Sequence, residues 1–233
     1  MTDERKALTP GRTVFVIVYV LAYPVVLFLL AGDWLWIEGW IFSLWFITIG
    51  YYSTFYLNRH SPDLLRERFR RVGSGGEKGW DKVFVYALII VFLAWFVIMP
   101  LDVRRFYWTA HFPLLLKTLG GLVLLPAFYF LFRALADNPY ASHLVRIQKE
   151  RDQRVIDTGV YAVVRHPMYL GGMMYFLGPP LLLGSKYGLL LGVLLALMFI
   201  FRIFGEEKTL MSELEGYADY RKKVRYRLIP GVW

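Results

Sequence analysis

The sequence predicts an all-α integral membrane protein with about six transmembrane helices, the last two forming a helical hairpin. Three observations carry that prediction. The 233 residues are 57% hydrophobic and 18% aromatic, outside the range of an ordinary soluble domain. The apolar residues are bunched into runs that approach the ~20 residues needed to cross a bilayer core. The Lys and Arg residues sit almost entirely on alternate connections between those runs.

The runs fall at about 13–32, 38–57, 83–101, 114–135, 168–184 and 187–204, the fifth and sixth being short. Of 27 Lys and Arg, 3 precede the first run (Arg5, Lys6, Arg12), 7 lie in 58–82, 6 in 133–166 and 7 from Arg202 onward. Only Arg104, Arg105, Lys117 and Lys186 fall on the opposite side. An even number of spans with both termini cytosolic satisfies the positive-inside rule at every loop. The net charge of +9 is therefore read as topology and contact with membrane lipid head groups, not as a nucleic-acid footprint. The absence of cysteine excludes disulfides, thiolate zinc sites and cysteine nucleophiles. The first run has no small-x-small cleavage site, so no cleavable signal is expected.

Taken in order, the first hairpin turns through Gly32–Gly39, with Trp34 and Trp36 as expected interfacial anchors. Near 60–72, Ser61-Pro-Asp-Leu opens a short basic amphipathic helix expected on the cytosolic face. His60 and His111 stand alone in loops. In the fourth run Gly120 and Gly121 are expected to permit close helix approach. Pro139 closes that helix, and residues 138–157 form a polar segment punctuated by Val145, Ile147, Val155 and Ile156, so part of it must pack. Gly178-Pro179-Pro180 is expected to interrupt or kink the fifth span, and Gly184–Tyr187 makes the tight turn into the sixth. The sixth helix is expected to continue to about Lys222, and the tail Leu228–Trp233 to fold back. Residues 1–136 thus read as a transmembrane scaffold and 137–233 as the catalytic region of one integrated domain.

The residues suited to chemistry cluster at one membrane boundary. Tyr161, Arg165, His166 and Tyr169 occupy about two helical turns. Pro167 suits the first turn of a helix, which puts His166 beside free backbone donors that favour an anion. Arg202 and Glu206 are four apart and share a helix face. Any one of these has an ordinary structural explanation, an intrahelical ion pair or a satisfied interfacial histidine. Charged groups at a membrane boundary are costly, and their joint occurrence on both arms of a tight hairpin points to a site. Four scattered histidines without cysteine give no metal-ligand cluster, so no metal is expected.

Thr158-Gly-Val-Tyr161, Arg165-His-Pro-Met-Tyr169, Arg202, Glu206-Glu207 and Tyr217-Ala-Asp-Tyr220 together resemble the isoprenylcysteine carboxyl methyltransferase family. They are similar also to the related membrane phospholipid methyltransferases. The resemblance covers roughly residues 138–227 and implies S-adenosylmethionine in a cytosolic pocket of the carboxy-terminal half. It implies that Gln153, Arg154, Val155, Ile156, Tyr161, His166, Pro167, Met168, Tyr169, Glu206 and Glu207 bind the cofactor, with Gln148 a further contact. Arg202 would be the catalytic, substrate-contacting arginine, joined by Arg165. The family more often has His where this chain has Gln153, and the ending Arg225–Trp233 differs from eukaryotic members. Both departures imply a prokaryotic relative in a bacterial or archaeal plasma membrane.

The chemistry is compatible with that resemblance. Methyl transfer from a sulfonium needs a nucleophile held in line with water excluded. A carboxylate acceptor is already ionised at neutral pH, and an arginine can orient it bidentately. A lipophilic small molecule or lipidated substrate would enter from the bilayer and be methylated on a carboxylate or, with Glu206 or Glu207 taking a proton, on a lipid amine. An NADPH-dependent membrane sterol or enone reductase is the alternative enzyme class, although no glycine-rich dinucleotide fingerprint is present. A non-enzymatic membrane scaffold would leave the polar cluster unexplained.

Overall fold

The computed structural model describes residues 7–233, so Arg5 and Lys6 lie outside the described residues. Eight α-helices are present and, among the described residues, no strand: α1 (Pro10–Ala31), α2 (Ile37–His60), α3 (Pro62–Arg68), α4 (Gly79–Pro100), α5 (Leu114–Asp137), α6 (Pro167–Leu183), α7 (Lys186–Glu213) and α8 (Tyr217–Lys223). Among the described residues, four segments are long and apolar enough to cross a membrane: α1, α4 with its π-turn extension to Arg105, α5 and α7. The other two expected spans are helical but differ from these. α2 is diluted by Ser, Thr, Tyr and Asn, and α6 has only 17 residues. Large side chains such as Leu35, Ile90, Leu114 and Phe201 stand on the outer surface, as a lipid-facing bundle requires.

Apolar side chains gain little by leaving lipid for a protein interior, so helices associate through close packing and hydrogen bonds. α5 and α6 show this directly. A Cβ on Gly120 would collide with the Leu182 amide, one on Gly178 would lie 2.8 Å from Leu124, and one on Gly171 would lie 2.8 Å from the Leu131 nitrogen. Gly121 meets only ordinary contact with Leu182, so of the expected pair Gly120 alone is needed for the approach.

Of the expected interruption or kink at Pro179-Pro180, the interruption does not occur, since α6 runs through both prolines to Leu183. A proline withholds the N–H that would bond the carbonyl four residues earlier, which for Pro180 is Phe176. Trp95 Nε1 from α4 supplies that donor instead, 3.1 Å from the Phe176 oxygen. The freed carbonyl is thereby satisfied by a neighbouring helix, as the bilayer interior demands. Trp95 belongs to the main core cluster with Tyr23, Phe28, Phe42, Phe96, Phe176 and Leu195.

The turn into α7 is capped by Ser185, whose Oγ accepts from the Gly188 amide at 2.8 Å. α7 ends at Glu213, short of the expected Lys222, because Gly216 turns the chain in the left-handed region at φ +81° before α8. Trp34 is half-exposed as an interfacial anchor would be, whereas Trp36 is fully buried beneath the Arg104 guanidinium. α3 starts after Ser61 as expected, but the Ser61 side chain makes no capping bond. Its apolar face, Leu64 and Leu65, packs on Leu57, Leu135 and Ala141, so the helix is wedged into the protein.

Candidate functional site

Five pieces of chain converge at one end of the bundle: the first turns of α4, segment 138–157, the start of α6, the last turns of α7, and α8. Segment 138–157 lacks regular structure beyond one short turn, so its position has to come from side chains. Arg146 supplies most of it. Its guanidinium grips Glu67 of α3 with Nε to Oε1 at 2.8 Å and Nη2 to Oε2 at 2.7 Å, and Nη2 also reaches Glu150 at 2.6 Å. Burial pushes the Glu67 carboxyl up, but the Arg146 fork outweighs it and holds the group below the usual carboxylate range. Gln148 is almost fully buried; its amide nitrogen donates to the Tyr140 carbonyl at 2.8 Å and its side-chain oxygen accepts from Arg151. The loop is thus stapled from within and from α3.

The Thr158-Gly159 turn follows from equally local demands. Gly159 has φ +57°, and a Cβ there would overlap the Asp137 carboxylate. That carboxylate accepts the Val160 amide at 2.9 Å and ends α5 against the turn. Tyr161 is consequently buried, with its hydroxyl donating to the Ala134 carbonyl at 3.2 Å and its own carbonyl accepting from the Tyr220 hydroxyl at 2.8 Å. Burial, first among its causes, holds the Tyr161 hydroxyl protonated by raising its pKa.

His166 caps α6, and the anion at that helix start is the chain's own Glu207. Arg165 Nε lies 2.8 Å and His166 Nε2 3.2 Å from Glu207 Oε1, while Arg227 Nε lies 3.0 Å from Oε2. The tail joins the same assembly: the Arg165 and His166 amides donate to the Tyr226 and Arg227 carbonyls at 3.0 and 2.9 Å. Leu228 then enters a cluster with Tyr169, Leu170 and Ile203, and Trp233 meets Phe204 edge-on, so the tail does fold back.

Glu206, one residue earlier on α7, faces elsewhere. It accepts a hydrogen bond from the Tyr169 hydroxyl, and no cation pairs with it among the described residues. Arg202 does not pair with Glu206 along the helix. Its Nε and Nη2 grip Asp81 of α4 at 2.9 and 3.1 Å, and Nη2 also donates to the His143 carbonyl at 2.7 Å. Its guanidinium carbon lies 5.3 Å from the Phe84 ring centroid and 5.9 Å from that of Tyr169.

These pieces line a narrow cleft of about 100 Å³, partly open to solvent. Gln153, Arg154, Val155, Ile156, Tyr161, Arg165, His166, Pro167, Met168, Tyr169, Arg202 and Glu206 all line it. Gln148 and Glu207 do not; the first staples its own loop and the second is enclosed by Arg165, His166 and Arg227. Expected residues are therefore brought together with these two exceptions. The sequence reading missed Asp81, fully buried and also accepting the Val145 amide at 2.7 Å, and gave no site role to Tyr217 of the Tyr217–Tyr220 motif, which lines the cleft. One signal was present for Asp81: an acid at the start of an apolar run needs a buried partner.

The lining suits a ligand with mixed polarity. Tyr217 Oη is buried without a hydrogen-bond partner, Arg154 is exposed without one among the described residues, and the Glu206 carboxylate meets only a neutral hydroxyl. Val155, Ile156, Leu210 and Leu214 supply apolar wall. A carboxylate without a salt-bridge partner suits a positively charged group, an unpaired arginine suits a carboxylate, and an orphan hydroxyl suits a sugar or base. S-adenosylmethionine carries all three. Among the described residues, no group of three or more His, Asp or Glu is placed to hold a metal ion.

Comparison with known proteins finds similarity confined mainly to the carboxy-terminal half. Residues 117–218 match the family model "Phospholipid methyltransferase". Over 85 residues the chain is 40% identical to the protein-S-isoprenylcysteine O-methyltransferase of Schizosaccharomyces pombe and 38% identical to that of Saccharomyces cerevisiae, each time covering 36% of this chain and 36% of the relative. A longer alignment, 22% identical over 142 residues, covers 58% of the chain and 66% of protein-S-isoprenylcysteine O-methyltransferase B of Arabidopsis thaliana. A solved eukaryotic intramembrane Ras methyltransferase, isoprenylcysteine carboxyl methyltransferase, superposes with TM-score 0.46 at 18% identity over 97% of this chain and 87% of that one, a likeness that carries no argument. In its carboxy-terminal part the chain is similar to isoprenylcysteine O-methyltransferases and to the phospholipid methyltransferase family model. The chain spans about a third of the length of the two yeast relatives it matches.

Proposed function

We propose that this chain is an integral-membrane methyltransferase that uses S-adenosylmethionine to methylate a lipophilic acceptor, on a carboxylate in the isoprenylcysteine manner or on a lipid amine. The observation that carries the reading is the cleft itself. It gathers Glu206 with Tyr169, the 153–156 segment and Arg202 at one end of four membrane-length helices. The relatives' printed activity, O-methylation of isoprenylcysteine, supports the same class.

In this reading Gln153–Ile156, Tyr161, His166–Tyr169 and Glu206 hold the cofactor, with Tyr217 added to the expected set. Gln148 and Glu207 serve it indirectly, by fixing the loop and the start of α6. Bound there, the cofactor supplies an electrophilic methyl group. Tyr169 orients Glu206 by donating to it, and the apolar wall excludes water that would otherwise compete for the methyl. Arg202 holds the acceptor. A carboxylate acceptor with a pKa of about 4 needs no base at neutral pH, whereas an amine would have to pass a proton to Glu206, the only one of the two glutamates that reaches the cleft. α2 and α6 complete six spans, both termini share the cytosolic side with the cleft, and the acceptor reaches it from the bilayer. Residues 1–136 are scaffold and 137–233 catalytic, with Asp81 reaching across that boundary.

The test is made on detergent-purified protein. Calorimetric titration is expected to show binding of S-adenosylhomocysteine and none of NADPH, and labelled S-adenosylmethionine is expected to methylate an N-acetylated S-prenyl cysteine or a component of a total lipid extract. Binding of neither nucleotide, with no methyl transfer, would sink the reading.

A further inference from the structure

The geometry points to the first turns of α4, through Asp81 and Phe84, as the mount that positions Arg202 for the acceptor. Neither residue lies in the segment shared with the phospholipid methyltransferase family, which begins at residue 117. The inference rests on the methyltransferase reading of the same cleft.

A guanidinium has five N–H donors in one plane. In Arg202 the Nε donor and one Nη2 donor go to Asp81, and Nη2 also serves the His143 carbonyl. Nη1 has no hydrogen-bond partner among the described residues, and Arg202 lines the cleft. Phe84 and Tyr169 lie near the guanidinium, 5.3 and 5.9 Å from its carbon. The planar group is thus held along one edge and flanked by rings, with one nitrogen to spare. The acceptor therefore meets Nη1 alone and not a bidentate fork, because Asp81 takes the Nε–Nη2 edge and the His143 carbonyl takes the remaining Nη2 donor.

Asp81 also ties this arginine to the cofactor loop. The carboxylate oxygen that accepts from Nη2 accepts the Val145 amide at 2.7 Å as well, next to Arg146, which anchors the loop to α3. Asp81 is fully buried, so removing its charge would leave Arg202 with an unmatched charge and a different set of rotamers. A guanidinium on a flexible three-methylene stem loses its aim without such a partner. Positioning of this kind is worth most where the acceptor must be held in line.

The experiment is a mutant cycle in detergent-purified protein, read by methyl transfer to an N-acetylated S-prenyl cysteine and to a total lipid extract, and by S-adenosylhomocysteine titration. Asp81→Asn is expected to lower kcat/KM about tenfold or more while the S-adenosylhomocysteine Kd stays within about twofold. In an Arg202→Gln background the same substitution is expected to cost almost nothing further, because Asp81 acts through that arginine. Unchanged kcat/KM in Asp81→Asn, or equal losses in both backgrounds, would overturn the proposal. Should Asp81→Asn fail to fold, Phe84→Leu carries the test: a loss of about threefold that vanishes in the Arg202→Gln background supports the mount, and an equal loss in both refutes it. Failure of the methyltransferase reading would show in the parent protein, failure of this inference only in the variants.

Discussion

The two ends of the α4–α7 pair are built from the same part and used differently. Each end holds a fully buried aspartate from the α4 line, Asp81 at the cleft and Asp102 in the π-turn at the far end. At ~1.5 Å of rise per residue they stand roughly 30 Å apart, the thickness of a bilayer core. Asp102 accepts from the Thr109 amide at 2.8 Å, the Thr109 hydroxyl at 2.9 Å and the Ser185 hydroxyl at 2.6 Å. All three donors are neutral, and Ser185 spends its remaining capacity capping α7. Asp81 meets a guanidinium instead, and the partner keeps a nitrogen unspent. The lesson is that a buried acid by itself says little; the spare donors of its partner decide whether an end is a closure or a site.

That contrast is broken most severely by Arg202→Gln. It removes a charged donor from the cleft and is expected to lower kcat/KM about 10²–10³-fold, with S-adenosylhomocysteine affinity near normal. Glu206→Ala comes next: loss of a charge-assisted contact of ~1.5–3 kcal/mol should weaken S-adenosylhomocysteine binding about 10- to 100-fold, with turnover recovering at saturating cofactor. At the far end the readout changes from kinetics to stability. Asp102→Asn leaves at least one buried donor unmatched, so thermal unfolding in detergent should show a loss of ~1–3 kcal/mol while Kd and kcat/KM stay at parental values. Ser185→Ala removes one cap and one hydrogen bond, a loss of ~1 kcal/mol on the same assay. A kinetic defect in either far-end variant would erase the distinction between the two ends.

What the sequence revealed and what it hid divide along the same line. Arg202, Glu206, His166 and Tyr169 were legible because helical spacing and the proline at the start of α6 are local properties. Glu207 was assigned to the cofactor with Glu206, yet adjacent helical residues point about 100° apart. One glutamate therefore reaches the cleft, while the other meets Arg165, His166 and Arg227. The helix is not interrupted at Pro179-Pro180 for a non-local reason, since the donor missing at Pro180 is replaced by Trp95 on another helix. Asp81 was hidden for the same reason. Its partners are 64 and 121 positions away in sequence, and nothing in the spacing of α4 reports them. The burial of segment 138–157 was half visible in its scattered apolar residues, but the Arg146–Glu67 fork that seats it joins residues 79 apart.

The central claim is that one cleft holds cofactor and acceptor on separate residues. Titrating S-adenosylhomocysteine into the parent, Glu206→Ala and Arg202→Gln proteins in the same detergent tests it most directly. Tight binding to the parent, weaker binding to Glu206→Ala by about tenfold or more and near-parental binding to Arg202→Gln is the expected result. No binding to the parent, or an equal loss in both variants, would contradict it.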